Sequence, residues 1–100
     1  MNPMQQMLMN AQRMQREMAK ANAALAEKEF VVEKSGMVKV TLTGDFNVTA
    51  IEIDPDALDP ENKEMLQETI ALAINEALEQ IAAEKEAIEE RVTGGKNGLF

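Results

Sequence analysis

The middle of the chain restricts the fold more than any other part of it. Residues 29–55 read EFVVEKSGMVKVTLTGDFNVTAIEIDP, a stretch dense in β-branched residues and interrupted by turn signals. This composition predicts three strands, near residues 29–34, 37–43 and 47–53. Ser35-Gly36 and Gly44-Asp45 are suited to the tight turns of hairpins. The stretch is therefore predicted to form a three-stranded antiparallel meander.

The alternation of side chains predicts how this sheet is covered. In the middle strand Val38, Val40 and Leu42 share one face, whereas Lys39 and Thr41 point to the other. Such alternation is typical of a sheet with one covered face and one wetter face. The third strand is less regular, because its apolar residues fall on both faces. Either a bulge interrupts this strand or both of its faces are partly covered.

Helical sequence flanks the sheet on both sides. Residues 4–26 are rich in good helix formers, and Pro3 stands where a helix start tolerates proline. After the sheet, Asp59 is a predicted N-cap, and Pro60 is the predicted first helical residue. Apolar residues then recur at three- and four-residue steps until Gly94 and Gly95 end the helix. They are Leu66, Ile70, Ile74, Ala77, Leu78, Ile81, Ile88 and Val92.

The order of helix, meander and long helix places the chain in the α+β class. Its 100 residues predict one domain with a thin core, for which association with a second chain is a natural supplement. We assign residues 1–27 to a helical arm, 28–54 to the sheet, 59–93 to the long helix and 94–100 to a flexible tail.

The first helix carries a stripe of methionines. Six of the eight methionines fall in the first twenty residues. On a helix, one stripe with the alternating three- and four-residue steps of a heptad repeat contains Met4, Met7, Ala11, Met14, Met18, Ala21 and Leu25. A soft-metal site, a membrane-seeking helix and a helix that packs on protein are the three interpretations of this stripe.

Packing on protein is the interpretation that the pattern favours. The stripe continues through alanine and leucine, which cannot bind a metal ion. Only three cations on the helix could face lipid headgroups, and the whole chain is acidic, which disfavours a membrane surface. Methionine adapts well to contact surfaces. We therefore assign a helix-packing or dimer surface to Met4, Met7, Met14, Met18 and Leu25, and we expect no metal site.

A row of cations lies on the other side of the same helix. Arg13, Arg16 and Lys20 fall within roughly 60° of one another, about half a turn from the methionines. The row is either a solvated helix face, with Glu17 pairing to Arg13, or a surface that contacts phosphates. Charge is unevenly distributed, because residues 1–26 hold three bases and one acid, whereas residues 55–92 hold three bases and eleven acids. Such segregation lets a basic arm bind nucleic acid although the net charge is -8.

The chain lacks the residues that several classes of function require. Without Cys or His, the chain has no thiol nucleophile, no imidazole base and no ordinary zinc site, so we predict neither catalysis nor a cofactor. Asp54, Asp56, Asp59 and Glu61 are interpreted as turn and cap residues, because their spacing fails the EF-hand pattern. No stretch is long and apolar enough to span a membrane, and no signal peptide is evident, so a cytoplasmic location is expected.

From Gly36 to Ile81 the sequence resembles the YbaB/EbfC family of bacterial nucleoid-associated proteins. The Met- and Gln-rich first helix and the Gly94-Gly95 tail also fit, so the resemblance covers essentially the whole chain. Its matching residues are Gly36, Val38, Val40, Gly44, Ile51, the Ile53-Asp54-Pro55 run, Leu58-Asp59-Pro60, and the helix from Leu66 to Leu78 with Ala73-Ile74-Asn75-Glu76-Ala77.

The resemblance implies a tweezer-like homodimer that binds duplex DNA in the nucleoid, with roles in nucleoid organisation and gene expression. It implicates helix surfaces at both ends of the chain. Because the second helix is strongly acidic, we assign the DNA contacts to Arg13, Arg16 and Lys20. The alternative function is a protein-interaction adaptor whose Met-rich arms grip a partner protein. The arm has no aromatic residue to stack on bases, which disfavours a single-strand platform.

Overall fold

The computed structural model describes residues 2–94. The strands form one antiparallel sheet in the order β1-β2-β3. The elements are helix α1 (Pro3–Glu27), strands β1 (Glu29–Lys34), β2 (Val38–Thr43) and β3 (Asn47–Ile53), 3-10 turns at Pro55–Leu58 and Pro60–Asn62, and helix α2 (Lys63–Thr93). The α+β class and the predicted element order are confirmed. Most of the predicted tail, residues 95–100, lies outside the described residues.

Helix α1 leads directly into the sheet. Its start is capped by Asn2, whose side-chain Oδ1 accepts a hydrogen bond from the backbone N–H of Gln5 at 2.8 Å. Its end is marked by Lys28, which has extended backbone angles and donates its N–H to the carbonyl oxygen of Leu25 at 3.0 Å. Strand β1 begins at the next residue, so no loop separates α1 from the sheet.

The turn before β3 brings the chain against α1. A Cβ atom on Gly44 would lie 1.8 Å from the carbonyl oxygen of Leu25, so only glycine allows this close approach. The backbone N–H of Gly44 donates to the carbonyl oxygen of Lys28 at 3.0 Å and secures the contact. In the other hairpin, Ser35 and Gly36 both have positive φ, as a tight turn of the primed type requires.

The start of α2 differs from the prediction. Asp59 does cap a helical turn, since its carboxylate accepts the backbone N–H of Glu61 at 2.9 Å. That turn is a 3-10 turn, and the α-helix begins at Lys63 rather than at Pro60. The end of α2 agrees with the prediction, because Gly94 adopts the left-handed conformation with φ of 81°.

The core lies between one face of the sheet and α2. The middle strand buries Val38, Val40 and Leu42 and exposes Lys39, as its alternation predicts. Helix α2 covers this face, and α1 adds Leu25. The other buried members of the cluster are Phe30, Val32, Ala73, Ala77, Ile81 and Ile88. Of the α2 members, Ala73 and Ala77 are small, which allows the helix to lie close to the strands.

Strand β3 contains a bulge and remains largely uncovered. Thr41 pairs with Ala50 and Leu42 with Val48, so Thr49 is the extra residue. The bulge brings Val48 onto the same face as Ile51, which is paired with Val40 and therefore points to the core side. Of the two predicted explanations for β3, the bulge is confirmed, and within residues 2–94 every residue of the strand except Ile53 is exposed. Val48 and Ile51 are 41% and 45% exposed in the described chain.

Candidate nucleic-acid interface

The first half of α1 projects from the body as an arm. The two helices run antiparallel, because Lys28 lies beside Glu84, whereas Ala21 and Arg91 line the same groove farther along. The last described turn of α2 therefore lies opposite the middle of α1. Residues 2–13 are all exposed, and the longest dimension of the molecule is 71 Å.

The three predicted DNA-contacting residues lie on one side of α1, Arg13 in its projecting half and Arg16 and Lys20 nearer to the end of α2. Arg13, Arg16 and Lys20 are all exposed on the uninterrupted helix. The helical rise separates the first from the last by roughly 10 Å along the axis. Phosphates of one DNA strand rise about 3.4 Å apart along the duplex axis, so a row of this length can face more than one phosphate. The structure thus presents the three cations together on one side of an exposed helix.

The three cations differ in whether a carboxylate competes for them. Arg13 Nε lies 3.9 Å from Glu17 Oε1, in an ion pair whose side chains are 63% and 54% exposed. Such an exposed, long pair is weak and is broken easily by a phosphate. Arg16 and Lys20 have no ion-pair partner among residues 2–94. These two are therefore the more available cations of the row.

Several cations of the body, in contrast, are paired with carboxylates. Lys28 Nζ lies 2.7 Å from Glu84 Oε1, and Lys34 Nζ lies 3.0 Å from Glu76 Oε1. Both bridges tie the sheet side of the molecule to α2 and neutralise charge that could otherwise attract DNA. The sequence did not reveal these pairs, because their partners are 56 and 42 residues apart. Charge complementarity on separate elements was the only available signal.

The acidic residues of α2 limit how DNA can approach. Glu79, Glu89 and Glu90 are exposed on the half of α2 that runs beside the base of the arm. Charges separated by more than about 10 Å are largely screened at 0.1 M salt, so these carboxylates repel phosphates mainly near the body. Arg13, on the projecting part of α1, is therefore the cation of the row that lies farthest from these carboxylates.

The acidic turn before α2 is structural. Asp54 Oδ1 accepts the backbone N–H of Asp56 at 2.8 Å, as Asp59 does for Glu61. These carboxylates therefore cap turns, in agreement with their predicted roles. Within residues 2–94, no group of three or more Asp and Glu side chains converges as a metal site would require. Neither described helix is apolar enough over a sufficient length to cross a membrane.

The methionine stripe divides at the point where α2 ends. Leu25 is buried, and Met18 and Ala21 pack against the core. Met14 is half-buried, whereas Met4 and Met7 are 71% and 69% exposed. Thus the part of the predicted packing surface from Met18 to Leu25 packs against the body, whereas Met4 and Met7 are left largely exposed within residues 2–94.

Comparisons with known proteins identify the family. The sequence model of the YbaB/EbfC DNA-binding family matches residues 1–96. A nucleoid-associated protein of Enterococcus faecalis is 43% identical over 100 residues, which cover 99% of this chain and 96% of the relative. A nucleoid-associated protein of Alkaliphilus metalliredigens is 45% identical, with 97% of this chain and 88% of the relative covered.

The fold also occurs in a solved structure. The crystal structure of the uncharacterized protein HP0035 from Helicobacter pylori superposes with a TM-score of 0.74, over 91% of this chain and 96% of that chain. At 20% identity this similarity concerns the fold alone. The resemblance expected from the sequence is confirmed by the family match and by the curated relatives. The chain belongs to the YbaB/EbfC DNA-binding family.

Proposed function

We propose that this protein binds duplex DNA as a homodimer and contributes to nucleoid organisation and gene regulation. The observation that carries the proposal is the row of exposed cations on a projecting helix in a member of a DNA-binding family. The relatives named nucleoid-associated proteins support a cytoplasmic, nucleoid location.

The mechanism is electrostatic contact between the arm and the phosphate backbone. Arg13, Arg16 and Lys20 release condensed counterions as they neutralise phosphates, which favours binding without reading the sequence. Two arms in a homodimer double the number of contacts. When one arm is released, the other keeps it close to the DNA, so the complex stays together and the arm can bind again. Because the arm carries no aromatic side chain, duplex DNA is a better ligand for it than an unstacked single strand.

The homodimer contact that we propose lies at β3. This strand is at the edge of the sheet, and it exposes Val48 and Ile51 on the face that is buried elsewhere in the sheet. An exposed apolar edge strand is a template for pairing with another chain. A second copy that covers β3 would complete the apolar face that α2 leaves open.

Sedimentation velocity tests the proposed dimer contact. Ile51→Glu places a charge in the contact, so we expect it to shift the protein from dimer to monomer. Val31→Glu is the matched control, because Val31 is 48% exposed but lies on the opposite face of the sheet, paired with Thr41. An Ile51→Glu variant that remains dimeric would exclude β3 as the contact.

Fluorescence anisotropy of a labelled duplex tests DNA binding. We expect saturable binding by the unaltered protein and loss of binding in the charge-reversal variant Arg13→Glu/Arg16→Glu/Lys20→Glu, with the dimer intact. Lys63→Glu is the control at the far end of α2. Equal affinity of the triple variant and the unaltered protein would remove the arm from the mechanism.

A protein-interaction adaptor is the second candidate function. It is favoured by one observation, the exposed upper methionines of the stripe, which suit contact with a partner protein. A pull-down from nuclease-treated lysate that returns a stoichiometric partner, together with absent DNA binding at low salt, would support it over the DNA-binding function.

A further inference from the structure

The methionine stripe becomes more exposed towards the end of the arm. Leu25 is 5% exposed and packs in the core cluster with residues of α2, Met14 is half-buried, and Met4 and Met7 are 71% and 69% exposed. The spacing does not change along this gradient. One continuous surface thus packs on a helix at its lower end and continues, in the same phase, past the last described turn of that helix.

The heptad positions of the stripe indicate that it can pack against another helix. With Met4 and Ala11 at a positions and Met7 and Met14 at d positions, the stripe is the seam of a helical pair. Leu8 falls at an e position beside the seam and is 59% exposed, which widens the apolar surface. A seam of this geometry accepts the corresponding ridge of another helix.

The charged residues of the arm lie away from this seam. Arg13 and Lys20 fall at c positions and Arg16 at an f position, on the outer side of a helical pair. Of the residues at e and g beside the free part of the seam, only Glu17 is charged; the others are neutral. Two copies of the arm can therefore approach along their seams without burying a cation or placing the basic rows face to face.

We propose that the free part of the stripe, residues 4–14, pairs with the same stripe on the arm of a second copy. The pairing continues the α1–α2 interface beyond the end of α2, with a second α1 in place of α2. A two-fold contact of this kind uses the same residues from both chains. With about three turns of methionine and alanine in the seam, the pairing is weak and increases with protein concentration.

The paired arms have a consequence that rests on the proposed DNA-binding function. Their basic rows point outwards, so each can contact its own duplex while the seams hold the two copies together. If each copy also belongs to a dimer joined at β3, the arms link dimers into larger assemblies that bridge separate DNA segments.

Site-specific cross-linking in the absence of DNA tests the arm contact. The chain has no cysteine, so each introduced thiol is unique. We would prepare Met4→Cys, Met7→Cys, Ala11→Cys and Met14→Cys, treat each full-length variant with a short bismaleimide, and measure the covalently linked pair. Met9→Cys is the matched control, since Met9 lies on the same arm, is 53% exposed and falls at an f position. We expect at least one seam variant to give a several-fold higher linked fraction than the control.

Sedimentation velocity gives a second measurement that does not depend on the orientation of the pair. We expect the sedimentation coefficient of the unaltered protein to rise with concentration beyond that of the dimer. Met4→Glu/Met7→Glu should abolish this rise, and Met9→Glu should retain it. Circular dichroism would verify that the helix content is unchanged in all three proteins.

The proposal is wrong if the seam variants link no more than Met9→Cys, or if Met4→Glu/Met7→Glu sediments as the unaltered protein does. It is also wrong if the double variant loses thermal stability without a change in mass, because the stripe is then covered within its own chain. Both measurements are made without DNA, so their failure is distinct from a failure of DNA binding in the anisotropy assay.

Discussion

The salt dependence of the DNA-binding constant should report how many cations of the arm contact phosphates. The logarithm of the binding constant falls linearly with the logarithm of salt concentration, with a slope of about -0.9 for each phosphate neutralised on duplex DNA. Arg13, Arg16 and Lys20 are three cations per arm. One engaged arm therefore predicts a slope of about -2.7, and two engaged arms predict about -5.4.

These slopes correspond to large and distinguishable losses of affinity. Between 50 and 200 mM salt, a slope of about -2.7 weakens binding about 40-fold, and a slope of about -5.4 weakens it about 2,000-fold. The difference tells whether one or both arms of the dimer contact the duplex. A slope much steeper than about -5.4 would mean that cations outside the arm also take part.

Single variants should divide the slope among the three residues. Arg16→Gln and Lys20→Gln each remove an unpaired cation, so each should flatten the slope of a two-armed complex by about 1.8. Arg13→Gln should flatten it by less, because Glu17 already competes for this guanidinium at 3.9 Å. Conversely, Glu17→Gln should strengthen binding, by at most about fivefold for each engaged arm if each pair is worth no more than about 1 kcal/mol.

The assay is anisotropy of a labelled duplex, titrated at several salt concentrations with each variant. Lys63→Gln is the control, because it makes the same change in net charge at the other end of α2. If Lys63→Gln flattens the slope as much as Arg16→Gln does, the effect comes from net charge and not from contact. A slope near zero for the unaltered protein would refute the electrostatic mechanism altogether.

Three further predictions concern stability, each measured by urea unfolding followed by circular dichroism. Ile81 is fully buried, so Ile81→Ala should lower the free energy of unfolding by about 2–5 kcal/mol, whereas Leu72→Ala at a 62% exposed position should change it by less than about 0.5 kcal/mol. Gly44→Ala should lower it by about 1–3 kcal/mol, because the added Cβ would lie 1.8 Å from a carbonyl oxygen at the end of α1; a neutral result would show that the turn and helix can separate freely. Glu84→Gln removes the half-exposed bridge to Lys28 and should lower it by less than about 1 kcal/mol; a larger loss would mean that the bridge anchors α1.

The elements of this fold were predictable because each depends on neighbours in sequence. Alternation around Val40 defines the covered face of the sheet, and three- and four-residue steps define α2. The turn at Ser35-Gly36 and the stop at Gly94 follow from glycine's access to positive φ, which is a local property. Local signals of this kind do not depend on the rest of the chain, so the order of elements could be predicted from the sequence alone.

Three irregular features of the fold could not be predicted without the tertiary structure. The bulge at Thr49 depends on the register between β2 and β3, and a shift of one residue would have satisfied the local sequence equally well. The 3-10 turn before Lys63 depends on how the chain passes from the sheet edge to the start of α2. Position 44 requires glycine because the carbonyl oxygen of Leu25, which is distant in sequence, lies where a Cβ atom would be.

The candidate interface divides in the same way. Helical geometry alone places Arg16 and Lys20 on one side of α1 and the methionine stripe on the other, so the sequence by itself determined the row and the stripe. Only the tertiary structure decided that α2 ends beside Met18, which leaves Met4 uncovered, and that Lys28 is neutralised by Glu84. The physical reason is that the helical period alone decides which residues share a side of a helix. Burial and ion pairing instead depend on contacts between elements that are far apart in the sequence.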